Sequence, residues 1–408
     1  MLIFSCTLSW GQEIVNDNIS DLIKAEISNL PAQGTDVYQA PTGTDKVAWS
    51  SVVSKVIARE YSLAAQEATA IGYELINVKN QFEGHEMDLY LLKRLNTSTN
   101  YWGTYVFNER PLRPWVAIQS PHAIKDRNTG VEGIHVFRSL GARAFFLTGT
   151  DRCNSKTKTN CSGSTSVCSS GSEAYPISDV AHNTSSGFQV VTELLNDSES
   201  PYFIQFHGFT KKSTDPYMIS SLGARSVVGP NKMHDIEQSL LDEDGSLTFK
   251  NSSNSSWSRL LAFTNTQGRY INQGSDPCTE NAEMANGRFI HIEQEYNKLR
   301  ASFTQWDMMA RALKNVFPEF KEGVLTVKFE DEVELFPSPL KNTLKVMNPL
   351  EVELQLSLLS INGTILKRLN IPAGETSHDV SKLKKGVYIY TLSSNDEIIK
   401  RGSTLKVN

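Results

Sequence analysis

The sequence has 408 residues, a formal net charge of −5 and 39% hydrophobic residues. That is globular composition with enough apolar mass for more than one core. Its mild acidity argues against a nucleic-acid surface. No run of about eighteen apolar residues occurs, so no membrane-spanning helix is expected.

Met1 to Gln12 (MLIFSCTLSWGQ) is short and apolar and ends in small or polar residues. It has the form of a secretory leader lacking its basic start, with cleavage near Gly11 or Gln12. Residues 13–45 form an N-terminal extension. An amphipathic stretch from Ile19 to Leu30 is followed there by a connection rich in Pro, Gly and Thr.

From Val47 to Ile76 apolar and small residues recur at intervals of three and four, which predicts helix. Short apolar runs then alternate with helical ones. WGTYVFN, PWVAIQS, ARAFFLTG and YFIQFHG read as strands. Val131 to Leu140, Gly187 to Leu195 and Lys232 to Leu241 read as helices, and a helical segment from Glu293 to Phe317 closes the region. This interleaving predicts an α/β fold over residues 46–322, a three-layer mixed sheet with helices on both faces.

Five cysteines occur. Setting Cys6 aside with the leader leaves Cys153, Cys161, Cys168 and Cys278. The first three lie in a Ser/Thr/Asn-rich stretch, a long polar loop that disulfides would pin. Three pairings are open. A zinc cluster is disfavoured because no CxxC spacing occurs.

Beyond Glu319 the texture changes to short alternating runs with turn residues between them. Residues 330–408 therefore read as a small all-β sandwich, with Asn362-Gly363 as a hairpin turn. The segment carries Phe336-Pro337-Ser338-Pro339 and Leu344-Lys345-Val346, then Ile361-Asn362-Gly363 before a strand. Asp379-Val380-Ser381-Lys382-Leu383, Gly386-Val387-Tyr388-Ile389-Tyr390 and the terminal Leu405-Lys406-Val407-Asn408 follow. In order and spacing it resembles the type A sorting domain of the type IX secretion system of Bacteroidetes, with Ser338 where Asn is usual. The resemblance implies engagement with that machinery and delivery to the outer-membrane surface or the medium of a Gram-negative bacterium.

P-loop, GxGxxG, GxSxG and HExxH motifs do not occur, so the chemistry must be sought at strand ends. PWVAIQS runs out into Pro121-His122, with Asp126 four residues on. YFIQFHG ends in His207-Gly208. RFIHIE ends in Glu293. Two histidines and a carboxylate make a tripodal zinc site with a position open for water, and a further carboxylate can act as general base.

This constellation resembles the zinc amidohydrolases related to metallocarboxypeptidases, including the N-formylglutamate amidohydrolase and poly-γ-glutamate hydrolase groups. The resemblance implies His122, Asp126 and His207 as zinc ligands and Glu293 as base. The spacing from His122 to Asp126 departs from the familiar HxxE, which leaves Glu132 and Asp179 as alternative ligands. His182, Arg143, Arg152 and Arg269 are candidates for holding a substrate, an arginine suiting a carboxylate through its fork of donors. His135 lies on a helical stripe and reads as structural. The expected activity is hydrolysis of an amide bond in a peptide, poly-glutamate or cell-wall fragment. The rival expectation is a surface binding or adhesion protein that has the fold without the chemistry.

Overall fold

The computed structural model describes residues 14–16, 18–82, 84–229, 231–319, 334–336, 340–348, 353–360, 365–394 and 397–407. The leader read over residues 1–12 lies outside them. The chain divides into two compact units, Met1–Phe320 and Lys321–Asn408.

The first unit opens with β1 (Ile14–Asn16) and α1 (Ile19–Ser28), whose N-cap Asn18 accepts from the Ser20 N–H. Two helices follow, α2 (Gly43–Ile57) and α3 (Tyr61–Ala70), and then β2 (Tyr73–Phe82). The continuous helical period expected from Val47 to Ile76 is therefore broken twice. Arg59 takes a left-handed conformation (φ 65°) between the helices, and Gly72 (φ 76°) turns the chain into strand. A Cβ at Gly72 would also lie 2.3 Å from the Ser98 hydroxyl, so this position demands glycine. The spacing of Tyr73 to Ile76 fits a helix, but the left-handed glycine and pairing with the next strand override it.

The unit continues with β3 (His85–Arg94), β4 (Thr104–Asn108), β5 (Arg113–Ser120), α4 (Thr129–Leu140), β6 (Ala142–Leu147), α5 (Gly187–Glu199) and β7 (Tyr202–Phe209). Then come β8 (Met218–Ser221), β9 (Ser226–Val227), α6 (Lys232–Glu243), β10 (Phe249–Asn251), α7 (Thr266–Ile271), β11 (Met284–Ala285), β12 (Phe289–Glu295) and α8 (Phe303–Val316). Glu293 thus belongs to a strand, and the helix expected to begin there begins at Phe303.

A ten-stranded sheet has the order β1-β2-β3-β4-β6-β5-β7-β12-β8-β10. Its central strands β6, β5, β7 and β12 run parallel, and antiparallel pairs flank them. β4 and β6 are buried along their whole length, which is why they read as nearly unbroken apolar runs.

One face packs on α2, α3 and α5 through Trp49, Val53, Phe146, Phe188 and Phe203. The other packs on α1, α4, α6 and α8 through Ile23, Phe137, Ile204, Ile292 and Leu313. This is the expected three-layer mixed α/β fold. Because the central strands are parallel, their C-terminal ends open together, where such folds bind ligands.

In the second unit, β13 (Glu334–Phe336), β14 (Thr343–Asn348) and β17 (Gly374–Asp379) form one antiparallel sheet. The other is antiparallel as well, and contains β15 (Leu354–Leu359), β16 (Ile365–Ile371), β18 (Gly386–Ser394) and β19 (Glu397–Lys406). Leu344, Val346, Leu356, Leu358 and Leu392 fill a shared core, the period-two pattern of half-buried strands. The Asn362-Gly363 turn and Pro337-Ser338-Pro339 fall outside the described residues.

Candidate metal centre

β5 ends at Ser120, and Pro121 leads into a single turn in which the Asp126 N–H donates to the His122 carbonyl at 2.9 Å. That turn puts the two side chains, four residues apart, on the same side. Asn128 closes it in the left-handed region (φ 73°), which asparagine tolerates better than most residues. Its amide donates to the carbonyls of Arg300 and Ala301, each at 3.0 Å, fastening this loop to the one after β12.

β7 and β12 pair in parallel with His207 opposite Glu293 and Gln205 opposite His291. Residues two apart in a strand share a face, so all four side chains project from the same side of the sheet. Gly208 faces the other side, where a Cβ would sit 2.3 Å from the Arg300 guanidinium carbon. The His-Gly pair thus reflects two demands, an imidazole above the sheet and room for an arginine below.

These elements bring His122, Asp126 and His207 together. The His122 and His207 Nδ1 atoms are 3.0 Å apart, and Asp126 Oδ2 lies 3.3 Å from the first and 3.2 Å from the second. All three residues are buried. His122 Nε2 lies 2.8 Å from Asp179 Oδ1. His207 Nε2 lies 2.7 Å from Gln205 Oε1. Both of those partners are acceptors, so each imidazole carries a proton on Nε2 and, in its neutral form, turns a bare Nδ1 lone pair toward Asp126.

Arg152 adds to the wall: its Nε and Nη2 donate to Asp179 Oδ2 at 2.9 and 2.5 Å, and its Nη1 lies 3.2 Å from His122 Nδ1. Burial, chiefly, drops His207 to about 4. For His122, burial and Arg152 oppose the charged form, but Asp179 and Asp126 outweigh them and raise it.

Glu293 stands beside this trio on β12, with His291 Nε2 3.8 Å from its Oε1. Burial, followed by the Asp126 charge, pushes the Glu293 carboxyl well above the ordinary carboxylate range. His207, His291 and Glu293 form a second group whose ligand atoms lie within 4.8 Å of one another. The chemistry of either donor set, imidazole nitrogen with carboxylate oxygen, suits zinc.

The other candidates are placed differently. His182 is stacked on Tyr175 with ring centroids 3.7 Å apart, its Nδ1 donates to the Thr264 carbonyl at 2.9 Å, and it is not among the ligand groups that converge. Burial lowers it to about 3, so the imidazole is neutral.

Arg143 and Arg269, expected to hold a substrate, are bonded to other groups of the protein. Arg143 sits at the start of β6, the end away from the centre, where it pairs with both Glu199 oxygens at 2.8 and 2.7 Å. Arg269 donates to the carbonyls of Phe263 and Cys278 and to Ser162 and Asn281, leaving its fork saturated.

Of the alternative ligands, Asp179 is the outer partner of His122. Glu132 is buried and accepts from Gln294, whose neighbour Glu293 projects from the other side of the sheet. His135 lies within a ring cluster with Phe82 and Phe303. The cysteines pair as Cys153–Cys168 and Cys161–Cys278, settling the open connectivity.

Two residues at the centre were missed, His291 and Gln205. Each precedes a chosen residue by two positions in a strand, so period-two alternation applied backwards from Glu293 and His207 would have found them.

Comparison with known proteins adds the following. No curated protein matches the chain. A putative carboxypeptidase A from Shewanella denitrificans OS-217 is 10% identical, covering 64% of this chain and 67% of its own, with a TM-score of 0.28. Thrombin activatable fibrinolysis inhibitor is 12% identical, covering 74% and 83%, with a TM-score of 0.32. A metallo-carboxypeptidase from Pseudomonas aeruginosa is 12% identical, covering 62% and 64%, with a TM-score of 0.26. Residues 334–402 match the secretion system C-terminal sorting domain, and the chain accordingly carries a type IX sorting tail that directs it to the cell surface or the medium.

Proposed function

We propose that this exported chain is a zinc-dependent hydrolase of amide bonds, with His122, Asp126 and His207 holding the ion and Glu293 acting as general base. One observation carries the reading. Three acceptor atoms, two imidazole Nδ1 lone pairs and a carboxylate oxygen, face one another at 3.0 to 3.3 Å. Arg152 Nη1 reaches the His122 Nδ1, and with both imidazoles neutral the remaining contacts set lone pairs against one another unless a cation joins them. A tetrahedral zinc site with bonds of about 2.0–2.1 Å keeps its ligands roughly 3.3 Å apart, which these separations approach.

The outer partners fit as well. Asp179 and Gln205 each accept from the remote nitrogen of a ligating imidazole, the arrangement that fixes ring orientation in zinc proteins. When bound, zinc supplies a Lewis acid for a carbonyl oxygen and acidifies water.

Glu293 has the attributes of the base. Its Oε2 is buried and hydrogen-bonded to none of the described residues, which leaves that oxygen free to take a proton from an attacking water and pass it to the leaving nitrogen. His182, neutral and with Nδ1 committed to Thr264, offers Nε2 as an acceptor for a substrate N–H. The substrate class is an amide of a peptide, poly-glutamate or cell-wall fragment.

The test is metal analysis of the purified chain, paired with hydrolysis assays on blocked peptides and poly-γ-glutamate. Glu293→Gln is expected to retain zinc while losing at least about 100-fold in rate. Zinc absent from the wild type, or full activity in that variant, overturns the mechanism. Zinc bound with no turnover of any amide returns the chain to a binding role.

A further inference from the structure

Beneath the candidate centre lies a buried array of side-chain amides. The oxygen and nitrogen of an amide are told apart by their partners. Here the partners decide, because three chains of hydrogen bonds start from the backbone and converge on Gln205.

The first starts on α5. The Thr192 hydroxyl donates to the Phe188 carbonyl at 2.9 Å, so toward its other neighbour it can only accept. Gln119 Nε2 donates to it at 2.9 Å, which turns Gln119 Oε1 toward Gln205 Nε2, also at 2.9 Å.

The second starts at the N-terminus of α7. Asn265 Oδ1 accepts from the Gly268 N–H at 2.9 Å as the helix cap, which turns Asn265 Nδ2 toward Gln205 Oε1 at 2.6 Å. The third starts at the Val180 carbonyl, which accepts from Gln267 Nε2 at 2.8 Å and so turns Gln267 Oε1 toward Gln205 Nε2 at 3.3 Å.

All three agree. Both donors of Gln205 are taken by Gln119 and Gln267, and its oxygen faces Asn265 and His207. Each amide and hydroxyl in the array is buried, where reversing one of them would leave orphaned polar groups costing about 1–3 kcal/mol apiece.

We infer that Gln205 is a positioning residue that locks the His207 tautomer. Its oxygen, aimed by three backbone-anchored chains, can only accept, so His207 must carry its proton on Nε2 and present Nδ1 unprotonated to Asp126 and His122. The same lock bars His207 from offering Nε2 to a cation in the second trio. His207 cannot serve His291 and Glu293 through Nε2 while that nitrogen is protonated and bonded to Gln205. The lock is made of the protein's own side chains and backbone, so the chain itself orients the lone pair toward the cation position. This inference rests on the metal reading above only for its purpose; the tautomer itself is a property of the ion-free protein.

The experiment uses the full chain in two states. In chelator-treated protein with labelled histidine, nitrogen NMR separates a pyrrole-type N–H from a pyridine-type nitrogen. His207 is expected to show a slowly exchanging Nε2–H and a bare Nδ1. A proton on Nδ1 in the wild type overturns the inference without any variant.

Zinc affinity by chelator competition supplies the second readout. Gln205→Leu removes the acceptor and is expected to weaken zinc about 10–100-fold and to mix the two tautomers. Gln205→Glu keeps an acceptor for His207 but loses both donors to Gln119 and Gln267, so it is expected to retain the tautomer at a cost in stability. Unchanged tautomer and affinity in a folded Gln205→Leu variant overturn the inference, as does a proton on His207 Nδ1 in a folded Gln205→Glu variant. Absence of zinc from the wild type would sink the hydrolase reading and leave the His207 resonance to judge the lock.

Discussion

Arg152 and Asp179 stand at the two feet of a long polar excursion and meet inside the protein, two guanidinium nitrogens of one on a single carboxylate oxygen of the other. The other Asp179 oxygen takes the His122 N–H. Truncating one member of such a buried pair strands its partner, at about 3–5 kcal/mol. Asp179→Ala is therefore expected to lose that much stability in urea unfolding and to weaken zinc as well. Arg152→Lys is expected to rescue poorly, because a point charge cannot reproduce the fork.

The excursion itself is pinned by Cys153–Cys168, next to Arg152, and by Cys161–Cys278, which ties it to the Arg269 region. Removing a native disulfide typically costs about 2–5 kcal/mol. Reduction under native conditions should lower the melting temperature and weaken zinc binding together, since Arg152 and Asp179 lose their anchors. Zinc affinity measured with and without reductant checks this; an unchanged value in fully reduced, folded protein contradicts it.

Glu132 gives a pH signature of its own. Burial pushes its carboxyl from 4.5 up to about 8. Below the unfolded value both states hold the proton. Between the two values the unfolded chain releases it and the folded chain keeps it, so stability falls as pH rises through that window and levels off above about 8. Glu132→Gln preserves a partner for Gln294 without titrating. The variant should flatten the decline and gain on the order of a few kcal/mol at alkaline pH. Urea midpoints at about pH 5 and about pH 9 read the difference.

Zinc itself should stabilise the fold by mass action. At free zinc 1,000 times the dissociation constant the gain is about 4 kcal/mol. His207→Ala should melt at the same temperature with zinc or with chelator, whereas the wild type should shift between them.

The central strands were legible because burial on both faces writes a plain apolar run, as in Ala142 to Leu147. The β2–β3 hairpin was not, since Tyr73 to Ile76 continued a helical period that only Gly72 and the long-range pairing to Leu91–Arg94 interrupt.

At the site, strand-end residues such as His122 and His207 could be read because apolar runs stop there. A strand pattern does not say which end faces the opening, so the place of Arg143 at the start of its strand could not be read. Asp179 was only an alternative ligand in the sequence, for its partnership with His122 spans 57 positions and a disulfide-held loop. Gln205 and Gln119 carry no motif. Their meaning lies in which way an amide points, and that depends on carbonyls and hydroxyls far along the chain.

The polar excursion between Arg152 and Asp179 has one more implication. Its feet are fastened beside the centre, while Ser170 to Ala174 at its far end are exposed. A short foreign peptide spliced next to Gly171 would hang outward, with two disulfides between it and the histidines. That makes the loop tip a natural graft point for an affinity tag or epitope on a protein displayed outside the cell.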